Sequence, residues 1–140
     1  MSASATRPEL SIVIPAYNEA QRLPKSFARL HDFLQRQPYL AEVIVVDDGS
    51  DDSTAGVVRA WMGRWHALRL IQIPHTGKGA AVRAGALAAQ GAWIFLADAD
   101  FSMPVQELEL FSPSDAPSVD VLIGSREAPG AQRIGEPVYR

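Results

Sequence analysis

Val43-Ile44-Val45-Val46-Asp47-Asp48-Gly49-Ser50 runs four β-branched residues straight into two aspartates and a turn. Trp93-Ile94-Phe95-Leu96-Ala97-Asp98-Ala99-Asp100 repeats the arrangement, an apolar run that ends in carboxylates. Unbroken apolar runs of this length between helical patterns read as parallel strands buried on both faces. Both acidic clusters then emerge at the carboxyl edge of one sheet, where open α/β folds bind ligands. A nucleotide together with a divalent metal suits such an edge.

Strand and helix patterns alternate outward from these two runs. Leu10 to Ile14 reads as a short strand stopped by Pro15, and Leu23, Phe27, Leu30 and Leu34 then recur at helical spacing until Pro38 ends the helix. Glu42 to Asp47 is the second strand. Asp48-Gly49-Ser50-Asp51-Asp52-Ser53-Thr54 follows it as a turn and N-cap cluster, before a helix with Val57, Val58, Trp61, Met62 and Trp65 on its apolar face. Leu68 to Ile73 is a third strand, and an Ala-rich helix runs from the Gly77-Lys78-Gly79 loop to about Gln90, its small side chains allowing close approach to the sheet. Trp93 to Ala97 is the fourth strand, Val105 to Phe111 a short helix, and Val119 to Ile123 a fifth strand ending at Gly124-Ser125-Arg126. The alternation predicts an α/β fold, a mostly parallel sheet with helices on both faces. Ser112 to Ser118 reads as a flexible loop.

Composition limits what this site can be attached to. With 140 residues, 47% hydrophobic and 21% charged, the chain has apolar material for one core. A net charge of −3 and 13 scattered Lys and Arg leave no basic stripe, which argues against nucleic acid as a partner. The chain has no Cys, so disulfides and thiolate metal sites are excluded, and a reducing cytosol is compatible. Residues 1–9 are polar, without the apolar stretch of a signal peptide, and no segment approaches the roughly 18 apolar residues of a membrane span.

The candidate chemistry lies at the strand ends. Asp98 and Asp100 are two residues apart, so in an extended backbone both carboxylates face one way and can share a cation. Hard oxygen ligands suit Mg²⁺ or Mn²⁺, completed by substrate phosphates. Read alone, the triplet fits a pair of turn caps equally well. Asp47 and Asp48 allow one carboxylate to accept from a nucleobase or ribose while the other caps the helix starting near Asp51, or both serve only the turn. Lys78, bracketed by glycines at a helix start, favours an anion, or merely opens the helix. Arg126 is a phosphate clamp or a solvated surface residue, and Arg133 and Arg140 lie in a Gly- and Pro-containing tail.

Other chemistries are poorly supported. Lys78 is followed by Gly79 and no Gly precedes Gly77 by five residues, so the Walker loop fails; Val82 occupies the third glycine position of the dinucleotide fingerprint. His31, His66 and His75 show no ligand spacing, Trp61 and Trp65 read as core or a partly exposed face, and no G-x-S-x-G is present.

Five motifs together carry a resemblance: Ser11-Ile12-Val13-Ile14-Pro15-Ala16-Tyr17-Asn18-Glu19, Val46 to Thr54, Gly77-Lys78-Gly79-Ala80-Ala81-Val82-Arg83-Ala84-Gly85, Asp98-Ala99-Asp100 and Gly124-Ser125-Arg126. Their order and spacing resemble family 2 glycosyltransferases, most of all the polyprenyl-phosphate branch of dolichyl-phosphate glucosyl- and mannosyltransferases, over about residues 9–126. The resemblance implies a GT-A fold, a UDP- or GDP-sugar donor, Mg²⁺ or Mn²⁺, inversion at the anomeric carbon and transfer of glucose or mannose to a polyprenyl phosphate at a membrane surface. It implies a cytoplasmic location, peripheral to the membrane's cytoplasmic face. By the same resemblance Pro15, Ala16, Tyr17 and Glu19 line the nucleoside pocket, Asp48 with Asp47 beside it reads the base, and Lys78 and Ala99 lie at the donor. Asp98 and Asp100 would hold the metal, and Arg126 and Arg140 would neutralise phosphate as the nucleoside diphosphate leaves. Ser102 stands where the mannosyl branch carries a metal-reaching Gln. The expected organisation is a polar tail (1–9), a catalytic GT-A domain (10–126), and a flexible tail or the start of an acceptor-side region (127–140). Family members continue well beyond this length, so a fragment of a longer enzyme or an inactive donor-binding module are both readings, as is a family 2 transferase with a saccharide acceptor. A sugar-phosphate nucleotidyltransferase fits less well, because Pro15-Ala16-Tyr17-Asn18-Glu19 replaces its Gly-rich loop.

Overall fold

The computed structural model describes residues 6–111, 119–124 and 129–131. The chain divides into a unit over residues 1–107 and a second over 108–140, and every site residue described below belongs to the first. That unit alternates β1 (Leu10–Ala16), α1 (Leu23–Leu34), β2 (Ala41–Asp48), α2 (Thr54–Met62), β3 (Leu68–Ile73), α3 (Lys78–Ala88) and β4 (Trp93–Leu96). The strands form one parallel sheet in the order β3-β2-β1-β4. The chain therefore winds outward from β1 to β3 and then crosses to the other side of β1. Between the carboxyl ends of β1 and β4 this reversal opens the crevice that open α/β sheets use for ligands.

Two core layers flank the sheet. Val13, Ile44 and Val46 pack with Ala81 of α3, supported by Ile71, Ile73, Ala84 and Ala88. Their strand neighbours Ile12, Ile14, Val43 and Val45 point to the opposite face by the two-residue alternation and are also fully buried. On that side α1 and α2 pack together, Phe27 edge-on to Trp61 (5.5 Å) and Trp65 (6.0 Å). Small residues let α3 lie close. A Cβ on Gly85 would stand 2.3 Å from Val13 Cγ1 and 3.1 Å from Val46 Cγ2.

The amino end of the sheet is locked by a buried carboxylate. Glu42 accepts hydrogen bonds from Ser11 Oγ (2.6 Å), the Gln90 N–H (2.6 Å) and Arg69 (2.7 Å), while Ser11 Oγ accepts from the Gly91 N–H (2.8 Å). Burial pushes the Glu42 carboxyl up, but these bonds outweigh it and hold the group below its ordinary value.

Several boundaries differ from the sequence reading. β1 does not stop at Pro15 but continues to Ala16, with Pro15 opposite Val46. The Val13 carbonyl accepts from Ala97 N–H on the β4 side. Pro15, two residues on, faces the same side past the last β4 residue, so its missing N–H removes little of the ladder. In α1, Phe33 is buried and Leu34 only half-buried, and the helix ends before Pro38 is reached. α2 ends at Met62, which leaves the buried Trp65 beyond the helix, and α3 ends at Ala88. Val105–Leu110 is a 3-10 helix. Residues 119–124 form no strand and pair with none among the described residues. Val121 and Ile123 are 73% and 82% exposed, and an apolar alternation forms a strand only where a partner edge meets it.

Candidate functional site

Four loops leave the carboxyl edge, and hydrogen bonds from short polar side chains stitch them together. After β1, Asn18 takes a left-handed conformation (φ 53°) that Asn tolerates better than most residues. Its Oδ1 accepts the Asp51 N–H (2.9 Å) and Asp52 N–H (3.3 Å), and its own N–H donates to Ser50 Oγ (2.9 Å). The Glu19 N–H donates to Thr54 Oγ1 (2.9 Å), and the Glu19 carboxylate pairs with Arg22 (3.3 Å). The loop after β1 is thereby fixed against the acidic turn after β2.

Within that turn the two aspartates divide the work differently from the sequence expectation. Asp47, 2% exposed, accepts the Ser50 N–H (3.0 Å) and closes the turn. The opening N–H of α2, on Thr54, is capped instead by Asp52 Oδ1 (2.9 Å), because Asp47 lies too early in the chain to reach it. The Thr54 hydroxyl also bonds Asp52, and together these hold the Asp52 carboxyl below its ordinary value. Asp48, 3% exposed, turns the other way. It accepts the Thr76 N–H (2.8 Å) on Oδ1 and the Gly77 N–H (2.9 Å) on Oδ2, with His75 Nδ1 2.9 Å from Oδ2. The Thr76 N–H foremost, then the Gly77 N–H and the His75 ring, hold Asp48 below the usual carboxylate range against the burial that pushes it up. Asp48 thus staples the loop after β3 to the turn after β2.

His75 is the residue the sequence reading passed over. Its ring stacks on Tyr17 at 4.3 Å and 23°, and Nδ1 also lies 3.0 Å from the Asp48 carbonyl. Gly49 (φ 67°) permits this approach: a Cβ there would meet His75 N at 2.6 Å. Its place directly before Thr76-Gly77-Lys78, at the end of a strand, was the signal that could have found it; metal-ligand spacing was the wrong test for a ring that stacks.

Asp98 and Asp100 lie in a turn beyond β4 and not on extended backbone. The Phe101 N–H donates to the Asp98 carbonyl (3.0 Å), and Phe101 has φ 44°. Buried Ser26 of α1, also missed from sequence, donates to the Ala99 carbonyl (2.7 Å) and fixes the turn, so Ala99 is buried while both aspartates are exposed. Asp100 accepts the Ser102 N–H (3.0 Å), so Ser102 contributes its backbone to this turn. Lys78 Nζ bonds Asp98 Oδ1 at 2.6 Å. Pro15, Lys78, Val82, Leu96, Ala97 and Asp98 line a groove of about 270 Å³ at the reversal between β1 and β4. Arg126, Arg133 and Arg140 lie outside the described residues.

No group of three or more side chains that could hold a metal occurs among the described residues. Two exposed carboxylates, one paired with Lys78, supply the hard oxygen donors that an Mg²⁺ or Mn²⁺ completed by substrate phosphates would use. They do not fit an all-protein cage.

A four-stranded parallel sheet with helices on both faces and acidic turns at its carboxyl edge defines an α/β domain of the doubly wound kind. The chain matches the model of glycosyl transferase family 2 over residues 11–134 and belongs to that family. It is 38% identical over 107 residues (72% of this chain, 33% of the relative) to a dolichyl-phosphate β-glucosyltransferase of Trichomonas vaginalis. It is 42% identical over 100 residues (66% of this chain, 31% of the relative) to that of Drosophila melanogaster. A mannosyltransferase from Pyrobaculum calidifontis, solved with GDP-Man and Mn²⁺, superposes with a TM-score of 0.56 at 30% identity, covering 69% of this chain and 28% of that one. The chain spans about a third of the length of the curated relatives it matches. No helix among the described residues is long and apolar enough to cross a membrane.

Proposed function

We propose that this chain is the donor-binding part of a metal-dependent, inverting glycosyltransferase that moves glucose or mannose from a UDP- or GDP-sugar to a polyprenyl (dolichyl) phosphate at the cytoplasmic face of a membrane. The observation that carries the reading is the cluster at the β1–β4 reversal, where Lys78, at the N-terminus of α3, meets Asp98. Asp98 and Asp100 hold the divalent metal, which supplies charge neutralisation to the donor diphosphate. Lys78 and the N-terminal N–H groups of α3 favour the same anion. The stacked Tyr17 and His75 give a nucleobase a flat aromatic neighbour, with Pro15, Ala16, Glu19, Asp47 and Asp48 forming and fixing the surrounding edge. Ala99 sets the carboxylates by anchoring their turn. Arg126 and Arg140 are assigned to the leaving phosphates by their motif positions. A lipid phosphate is already anionic at neutral pH, so the acceptor needs no general base. The domain extends over residues 10–126, with 127–140 leading toward an acceptor-side region.

The test is a thermal-shift panel with UDP-glucose, GDP-mannose, UDP and GDP, with and without Mn²⁺, on wild type and Asp98→Ala/Asp100→Ala. Stabilisation by one donor that needs both Mn²⁺ and the aspartates supports the reading and names the base. Absence of any shift overturns donor binding by this chain.

A further inference from the structure

The Lys78 ammonium sits on Asp98, the carboxylate assigned to the metal. We infer that Lys78 is a resident counter-cation: it occupies Asp98 in the free protein and must be displaced before a divalent cation can bind, which couples metal entry to the arrival of a diphosphate. The inference rests on the assignment of Asp98 as a metal ligand and goes beyond it.

The root of the side chain is held and its head is not. Gly77, immediately before Lys78, has its N–H fixed by Asp48 (2.9 Å), so the start of α3 is anchored to the turn after β2. The ammonium ends on a flexible four-carbon stem. Both partners are largely solvent-exposed, 68% for Lys78 and 58% for Asp98, so the pair is weak and exchangeable. A divalent cation placed at Asp98 meets a like charge at hydrogen-bond distance unless the ammonium leaves. A diphosphate gives that ammonium a new partner at the same helix N-terminus, where the backbone already favours an anion. Cation and diphosphate therefore favour each other's binding, and linkage makes the effect reciprocal. Metal alone binds poorly, and metal with nucleotide binds well.

The experiment titrates Mn²⁺ into the full 140-residue chain, reading free Mn²⁺ by electron paramagnetic resonance, first alone and then with saturating UDP or GDP. Wild type is compared with Lys78→Met, Lys78→Gln and Lys25→Met. The last removes one positive charge from an exposed position in the first turn of α1 and controls for net charge. Both Lys78 variants are expected to bind Mn²⁺ alone about 1.4- to fivefold more tightly than wild type, the range for releasing an exposed ion pair. Lys25→Met stays close to wild type. With nucleotide present the gain vanishes or reverses, so the coupling between Mn²⁺ and nucleotide shrinks by at least the same factor. A damaged fold weakens binding and cannot produce the gain. If both Lys78 variants bind Mn²⁺ alone no more tightly while wild type still binds Mn²⁺ with UDP or GDP, the counter-cation role is overturned and the proposed function stands. If no protein binds Mn²⁺ with either nucleotide, the proposed function fails and the inference fails with it.

Discussion

Two glycines in two helices should respond to the same substitution with opposite signs. Gly85 lies in α3 against the sheet, and an alanine Cβ there would stand 2.3 Å from Val13 Cγ1. That is roughly 1.2 Å short of an ordinary carbon–carbon contact of about 3.5 Å. Val13 cannot yield easily: it is β-branched and fully buried on a strand paired on both sides. Overpacking of this kind costs about 1–3 kcal/mol, against a gain of about 1 kcal/mol from replacing glycine in a helix. The net for Gly85→Ala is a loss of up to about 2 kcal/mol. Gly56 lies inside α2, and a Cβ added there would meet nothing within 4 Å, so Gly56→Ala keeps only the gain, about 0.5–1 kcal/mol. Urea unfolding followed by circular dichroism separates them. At this chain length the melting temperatures should move about 3–4 °C per kcal/mol, down for Gly85→Ala and up for Gly56→Ala. A Gly85→Ala midpoint above wild type, with an unchanged slope, would refute the close packing of α3 on β1, and with it the placement of Lys78 beside Asp98.

Gly49→Ala forces φ 67° on a residue with a Cβ and drives that Cβ into His75 N. A melting temperature lower by at least that of an αL penalty, about 1–2 kcal/mol, is expected, with loss of the Tyr17–His75 contact in aromatic NMR spectra. Asp48 has a folded pKa below its unfolded value, so its contribution is fully present above the ordinary carboxylate pKa and lost as pH falls through the folded one. Asp48→Asn should therefore lower stability at neutral pH and flatten the acid limb of the stability profile, measured by urea midpoints from pH 7 downward. Ser11→Ala removes a donor to Glu42 and the acceptor of the Gly91 N–H. A loss of about 1–3 kcal/mol in urea unfolding is expected, with Mn²⁺-dependent nucleotide binding by calorimetry unchanged because that node lies at the opposite end of the sheet.

The four strands were legible because each is an apolar run bounded by turn residues, and the Ala-rich helix because small side chains at helical spacing have one evident use. The position of the aspartates was legible because residues that directly follow parallel strand runs must emerge at the carboxyl edge. Three things were hidden. Pro15 looked like a stop, since sequence cannot say that the neighbouring strand ends before it. Val119 to Ile123 looked like a strand, since sequence carries the pattern of one strand but not the edge it must meet. The partners of Asp48 lie 28 and 29 residues away, so its role as a staple depends on which loops the sheet order brings together.

That sheet order also explains why charged side chains from distant segments can act as one group. With β1 in the interior and β4 added on its far side, α3 must cross over the sheet, and its N-terminus then starts above the ends of the central strands. Lys78 reaches Asp98 across 20 residues of sequence for this reason. Asp48 fixes the backbone from which Lys78 springs, and Ser26 fixes the turn that carries Asp98 and Asp100. The carboxylates and the ammonium thus stand on separately anchored loops, with only the side-chain ends free to exchange partners. A site built this way holds the frame rigid and leaves the charge pairing adjustable, which is what the proposed binding of a metal–diphosphate pair would require.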